Sequence, residues 1–423
     1  MSAGLRCADC RRETAVSSLA ADCPCGGLLE VVQTPRLGGE ALRRLWEERR
    51  GHDSEAEGSG VWRFRELLLP DPGPLVTHPE GNTVLYRREA IARYVDLRDL
   101  TLKHEGENPT GSFKDRGMTV AVTHAVRSGA TAVACASTGN TSASMAAYAA
   151  QAGLPALVFV PRGRVAAGKL AQALAYGART LLVEGDFDAC LRLAREACQA
   201  LGVTLLNSVN PWRIEGQKTI VFELLQQRGW KPPDWIVVPA GNLGNTSAFG
   251  KALGEAKALG LIRKLPRIAA VQAAGAAPFF KSFGGGFKRR YTVQAETVAT
   301  AIRIGDPASH ARAVTAMRLT NGVVIAVGDG EILAAKAAVD RAGLGCEPAS
   351  AASVAGVRKL VRQGVIRPGD SVVAVLTGHL LKDPDTVMRF HQGRSKGANP
   401  PLEIAPKVAE VEKVLARLRR SRV

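Results

Sequence analysis

From residue 130 to residue 376 the chain alternates short apolar runs with stretches of helical spacing, and nothing else in it constrains the fold as strongly. The apolar runs are Ala132–Ala136, Ala156–Val160, Thr180–Val183, Val203–Leu206, Trp235–Pro239, Ile268–Gln272, Gly322–Val327 and Ser371–Leu376, each bounded by Gly, Pro, Asn or Asp. Helical patterns intervene, notably over Thr141–Ala152, Lys169–Gly177, Phe187–Leu201, Ile214–Arg228 and Ser350–Gln363. Strands without a polar face, each followed by a helix, predict parallel sheets covered on both sides. The expected class is α/β, with two open twisted parallel-sheet domains and a site between them.

A length of 423 residues allows a large core and two or three domains. No apolar run approaches a membrane span, and the start Met-Ser-Ala-Gly-Leu-Arg-Cys lacks a signal-peptide pattern. Eight cysteines, four of them scattered in mostly apolar surroundings (Cys135, Cys190, Cys198, Cys346), fit a reducing cytoplasm better than a disulfide scaffold. The formal charge is +17, yet the one clear basic run is terminal, Arg417-Leu-Arg-Arg-Ser-Arg422, without aromatic interleaving. It reads as a solvated helix end rather than a nucleic-acid site. The expectation is a cytoplasmic protein with neither a nucleic-acid nor a membrane partner.

Chemistry concentrates at His104-Glu-Gly-Glu-Asn-Pro-Thr-Gly-Ser-Phe-Lys-Asp-Arg-Gly117. Glycines, a proline and hydroxyl residues turn the backbone tightly, and Lys114 emerges where a breaker-free helix begins. The positive end of a helix field disfavours a charged amine and lowers its pKa, which suits attack on an aldehyde carbon. The functional reading is a Schiff-base lysine; the ordinary alternative is a solvated lysine in a capped helix start.

Asn108-Pro-Thr-Gly-Ser-Phe-Lys-Asp-Arg-Gly117 resembles the pyridoxal-phosphate (PLP) lysine motif of the threonine synthases. That family belongs to the tryptophan-synthase-β-like superfamily, PLP fold type II. The resemblance covers roughly residues 60 to 390, with five motifs in family order. It implies Lys114 as the catalytic, cofactor-holding residue, with Phe113 as a wall. Ala136-Ser-Thr-Gly-Asn-Thr-Ser-Ala-Ser144 follows a strand and opens a helix, a natural carboxylate site. By resemblance Ser137, Thr138 and Thr141 hold the amino-acid carboxylate and Asn140 faces the pyridoxal ring oxygen. Pro239-Ala-Gly-Asn-Leu-Gly-Asn-Thr246 resembles the family's cradle for the PLP phosphate, which implies Gly241, Asn242, Leu243, Gly244 and Asn245. Asn207-Ser-Val-Asn-Pro-Trp-Arg-Ile-Glu-Gly-Gln-Lys218 matches the segment in which Asn207, Ser208 and Arg213 would bind a second phosphate, that of the substrate. Leu376-Thr-Gly-His-Leu-Leu-Lys-Asp383 would set Thr377 beside the pyridine nitrogen, although Leu380 stands where the family more often has glycine. Glu347-Pro-Ala-Ser350 resembles a structural strand-to-helix corner of the same fold.

The activity implied is γ-elimination and β-hydration of O-phospho-L-homoserine, giving L-threonine and phosphate in an enzyme that is usually a homodimer. Two alternatives stay open: a cysteate-synthase-like lyase on another phosphorylated amino acid, and a PLP- or zinc-ribbon-binding protein without turnover. Residues 1–32 carry Cys7-x-x-Cys10 and Cys23-x-Cys25, open between a tetrahedral zinc site and four free thiols. The expected division is a Cys-rich, zinc-ribbon-like segment 1–32, a catalytic part 33–395 with a smaller subdomain near 115–205, and a basic tail 396–423.

Overall fold

Each of the eight predicted apolar runs forms a strand, with ends moved by one residue at most, in a computed structural model. The structure describes residues 2–52, 54–70, 73–163, 167–185, 187–393 and 397–420. The larger sheet runs, edge to edge, Val323–Val327, Arg267–Ala273, Trp235–Pro239, Val372–Leu376, Leu100–His104 and Leu85–Tyr86. Its strands are parallel except for Leu85–Tyr86, which pairs antiparallel with Leu100–His104. The smaller sheet is Arg179–Val183, Ala156–Pro161, Ala132–Ala136 and Val203–Leu205, all parallel.

Alternation along the larger sheet sends neighbouring side chains into two separate cores. Ile236, Val238, Ile268 and Ala270 pack with Phe222 and Phe249, from helices Pro211–Gln227 and Gly244–Ala258. Val237, Ala269 and Val271 pack on the opposite face with Val354, Val357 and Leu360 of helix Pro348–Arg362. Covering both faces removes any need for a polar side, as the continuous apolar strands require.

Leu100–His104 lies ahead of the alternating region and was not among the expected strands; Lys103 and His104 give it a polar end, yet all five residues are buried. Lys103 Nζ donates to Glu223 Oε1 at 2.5 Å and to the Thr83 carbonyl at 2.6 Å, so the charge enters the core with partners.

Helix Lys114–Arg127 lies against Pro211–Gln227, and two glycines set that closeness. A Cβ on Gly216 would stand 1.8 Å from the Arg116 carbonyl oxygen, and one on Gly117 would stand 3.0 Å from that of Arg213. The lysine helix and the helix carrying Arg213 thus touch backbone to backbone.

The N-terminal strands Ser2–Cys7, Glu13–Thr14 and Leu29–Thr34 form a small antiparallel sheet with Ser2–Cys7 in the middle. The described residues divide into two compact units at Asp383/Pro384. The second unit holds helices Pro384–Gln392 and Val408–Arg420. The expected boundary at 395–396 and the end of the basic run, Ser421 and Arg422, lie outside the described residues. Among the described residues no helix is long and apolar enough to cross a membrane.

Candidate active site

A cleft of about 880 Å³ opens where strand ends of the two parallel sheets face each other, at Ala136 on one side and Pro239 and Thr377 on the other. Carboxyl ends of parallel strands are the usual ligand position in open α/β sheets. Lys114 is the first residue of its helix, as expected, and projects into this cleft. Its loop is fixed by a bridge between Ser112 and Gly378, by Phe113 N donating to the Thr377 carbonyl at 3.0 Å, and by His379 N donating to the Gly111 carbonyl at 2.9 Å. Asp115 closes the turn by accepting from Thr110 N and Oγ1 at 2.7 and 2.6 Å.

Burial, and after it the charge of Arg213, lower the Lys114 amine from 10.5 to about 7, with Glu347 opposing. The lowered value was expected from sequence, but through the helix field; its causes here are burial and the charge of Arg213, which only packing supplies. Lys114 Nζ sits 4.4 Å from the centre of the Phe113 ring, and Phe113 also lines the cleft.

Ser137, Thr138, Asn140 and Thr141 line the cleft at the start of helix Asn140–Gln151. Asn140 Nδ2 donates to Glu347 at 3.0 and 3.3 Å, so the corner glutamate read as structural stands in the cleft wall. Burial raises the Glu347 carboxyl above its ordinary range, against the Asn140 hydrogen bond and the charges of Lys382 and Lys114. Sequence reasoning missed Glu347, Lys382 and Gln217 as cleft residues. Gln217 and Lys382 lie within segments already singled out, and Glu347 in the Glu-Pro-Ala-Ser corner, but those signals speak of backbone and not of facing.

The glycine loop Gly241–Asn245 also lines the cleft. Leu243 takes a left-handed conformation, φ 65°, and caps helix Gly244–Ala258. A Cβ on Gly241 would come within 2.9 Å of Ile302 Cα, so only glycine lets this backbone stand where it does. Asn245 Oδ1, Thr246 Oγ1 and Gln217 Oε1 are buried here without a hydrogen-bond partner. Of these, the Thr246 hydroxyl can donate, and with the backbone N–H groups at the start of helix Gly244–Ala258 it fits an anionic group such as a phosphate.

Asn207 and Ser208 line the cleft. Asn207 accepts from Ala136 N and donates to the Ala136 carbonyl, both at 3.0 Å, leaving one amide N–H unused. Arg213 is fully buried and is not on the cleft surface, unlike its expected partners. Its Nη1 donates to the Leu206 carbonyl at 3.1 Å, while Nε and Nη2 have no partner. Burial lowers its pKa to about 10, which leaves the guanidinium charged at neutral pH. Thr377 Oγ1 lies 3.0 Å from Ser350 Oγ, which also accepts from Gly378 N at 2.8 Å. Leu380 packs over Gly345, where a Cβ would meet its Cδ2 at 2.2 Å, so the side chain that departs from the family pattern lies on a neighbouring glycine.

At the N-terminal sheet, one ligand atom from each of Cys7, Cys10, Cys23 and Cys25 falls within 4.8 Å of the others. Cys7 and Cys25 sulfurs are 3.5 Å apart, and those of Cys10 and Cys23 are 3.7 Å apart. Those separations match the edge of a zinc–thiolate tetrahedron, about 3.8 Å for bonds of about 2.3 Å.

The pyridoxal-phosphate dependent enzyme family model matches residues 76–378. The chain is 46% identical over 390 residues to the threonine synthase of Methanosarcina acetivorans, covering 91% of this chain and 93% of that protein. It is 43% identical over 390 residues to the threonine synthase of Methanocaldococcus jannaschii, covering 91% and 94%. Among solved structures, threonine synthase from Escherichia coli aligns with a TM-score of 0.71 at 20% identity, covering 96% of this chain and 94% of that one, a likeness of fold.

Proposed function

Because the chain belongs to the pyridoxal-phosphate-dependent enzymes, and within them to the threonine synthases, we propose that Lys114 and Arg213 are the two groups on which its reaction turns. The reaction converts O-phospho-L-homoserine and water to L-threonine and phosphate. PLP bound in the cleft supplies the electron sink that makes the amino-acid Cα–H acidic.

The single observation that carries the assignment is the pair itself. An amine lowered to about 7 lies close enough to a buried, half-unpaired guanidinium to feel its charge. Lys114 Nζ then holds the cofactor and moves protons, being able to accept and release one near neutral pH. The Gly241–Asn245 loop holds the cofactor phosphate through backbone N–H groups, joined by the unpartnered Thr246 hydroxyl as a donor. Thr377 takes the pyridine nitrogen, with its hydroxyl oriented by Ser350. Asn140 reaches the ring oxygen with the N–H that Glu347 leaves free. Ser137, Thr138 and Thr141 orient the substrate carboxylate at the helix start. Arg213, Ser208 and the remaining N–H of Asn207 take the substrate phosphate, stabilising it as it departs.

The finer readings belong to the same proposal. The four cysteines hold structural zinc, supported by their sulfur spacing. The catalytic part spans 33–395, with a smaller subdomain near 115–205, a Cys-rich segment 1–32 before it and a basic tail 396–423 after it. The enzyme works as a cytoplasmic homodimer without a nucleic-acid or membrane partner, in keeping with its free cysteines.

The test is to incubate holoenzyme in separate reactions with O-phospho-L-homoserine and with phosphoserine, and quantify phosphate and threonine together, with Lys114→Ala as control. Equal release of both, absent in the variant, is expected. Phosphate without threonine would mean elimination that ends in a keto acid, and turnover of phosphoserine alone would transfer the reading to a cysteate-synthase-like reaction.

A further inference from the structure

The N-terminal module grips the two helices that carry Lys114 and Arg213. Val16 lies in the loop between the two cysteine pairs and offers its carbonyl to His124 Nε2 at 2.7 Å. His124 belongs to helix Lys114–Arg127, and burial lowers its pKa to about 4, so the neutral ring donates from Nε2. The same ring stacks on Trp212, with centroids 4.4 Å apart and planes at 22°. Trp212 directly precedes Arg213.

A second grip comes from strand Leu29–Thr34, which begins four residues after Cys25. Its Val31 carbonyl accepts from Lys251 Nζ at 2.6 Å, and Gln33 Nε2 donates to Glu215 Oε2 at 3.2 Å. Glu215 stands two residues beyond Arg213 and is itself held by Lys218 at 2.5 Å. Arg312 Nη2 donates to the Leu29 carbonyl at the start of this strand.

The knuckle has the form of a metal site rather than of a disulfide pair. Its sulfur separations of 3.5 and 3.7 Å far exceed the S–S bond of about 2.05 Å. Cys10 N points at Cys7 Sγ, 3.5 Å away. A Cβ on Gly27 would stand 2.7 Å from that sulfur, so glycine is what lets the second turn close on the first. A segment of this size lacks a core of its own and gains its order from a metal and from the surface it rests on.

We propose that Zn²⁺ in the four-cysteine knuckle acts as a brace. It holds Val16 and strand Leu29–Thr34 against the helices bearing Lys114 and Arg213, and thereby sets how tightly the cleft holds the substrate phosphate. This rests on the zinc and Arg213 assignments made above. Zn²⁺ enters with loss of the thiol protons to solvent and no change of oxidation state. His124 is a positioning residue, acting on Arg213 through the Trp212 ring.

The test measures zinc by mass spectrometry in purified holoenzyme and in two variants. Cys10→Ser/Cys25→Ser removes two ligands; His124→Phe keeps a ring against Trp212 but loses the bond to Val16. Inorganic phosphate is the binding probe, and KM and kcat are measured with O-phospho-L-homoserine. Wild type is expected to carry about one zinc, the double variant to lose it and His124→Phe to keep it. Both variants should weaken phosphate binding and raise KM about ten-fold, with kcat within about two-fold and the visible absorption of bound cofactor unchanged. A wild type without zinc, or zinc loss with phosphate affinity unchanged, would overturn the brace. If the double variant does not fold, His124→Phe decides, and unchanged KM and phosphate affinity there also overturn it. A protein that couples zinc to phosphate binding but makes no threonine would break the catalytic reading and leave the brace standing.

Discussion

Arg116, two residues past Lys114, donates from Nη2 to Glu223 Oε1 at 2.9 Å, and neither side chain reaches solvent. Arg116 also donates from Nε and Nη2 to Glu105 at 2.6 and 2.8 Å, and Lys103 shares Glu223. Burial opposes ionisation of Glu223, but Arg116 and then Lys103 overcome it and hold the carboxyl well below its ordinary 4.5. Removing one member strands a buried charge, so Glu223→Ala should cost about 3–5 kcal/mol in urea unfolding. Because the folded value is depressed, the stability from Glu223 is present above pH 4.5 and is lost as pH falls below it. A variant that keeps the wild-type acid transition would contradict the network's role.

Lys114 predicts a pH dependence of cofactor loading. Only the neutral amine attacks an aldehyde, and its pKa is lowered to about 7 by burial and Arg213. The rate at which PLP reconstitutes apoprotein should rise from pH 6 to pH 8, centred near 7. The same shift penalises the apo fold below pH 7, and the penalty fades as pH rises toward 10.5. Loading that begins to rise only near 10 would show an ordinary exposed amine.

Arg213 carries two unpaired buried donors, which an anion would satisfy. Arg213→Ala should lower kcat/KM for O-phospho-L-homoserine by about 10- to 150-fold, the scale of lost charge-assisted hydrogen bonds. Arg213→Lys should not restore it, since an ammonium lacks the planar fork. Cofactor content measured by absorbance should stay at the wild-type level in both. Equal loss of affinity for a substrate lacking the phosphate would remove Arg213 from phosphate recognition.

Glu347 is tied to Asn140 at 3.0 Å, and burial favours its neutral form. Glu347→Ala frees the Asn140 amide and should reduce kcat about 10- to 100-fold. Glu347→Gln, which still offers a carbonyl to Asn140, should lose less. If the two variants behave alike, the acid does more than hold Asn140.

The parallel α/β architecture and the cleft loop that carries Lys114 were legible in the chain because both are local. Apolar runs such as Trp235–Pro239 carry no polar face, and only a sheet covered on both sides buries them. Asn108–Gly117 packs its turn and its lysine into ten residues. What stayed illegible depends on partners far along the chain. Strand Leu100–His104, not among the expected strands, buries Lys103 because Glu223, 120 residues away, accepts its hydrogen bond. Glu347 became a cleft residue only when its helix start was brought to Asn140, 207 residues distant. The lowered pKa of Lys114 was anticipated from its place at a helix start, but its causes, burial and Arg213, exist only once Gly117 and Gly216 let two helices touch. Sequence by itself determined which groups exist and which local frames present them. Tertiary structure decided which charges meet and which lose their water, because desolvation and Coulomb energy depend on distances that sequence spacing does not encode.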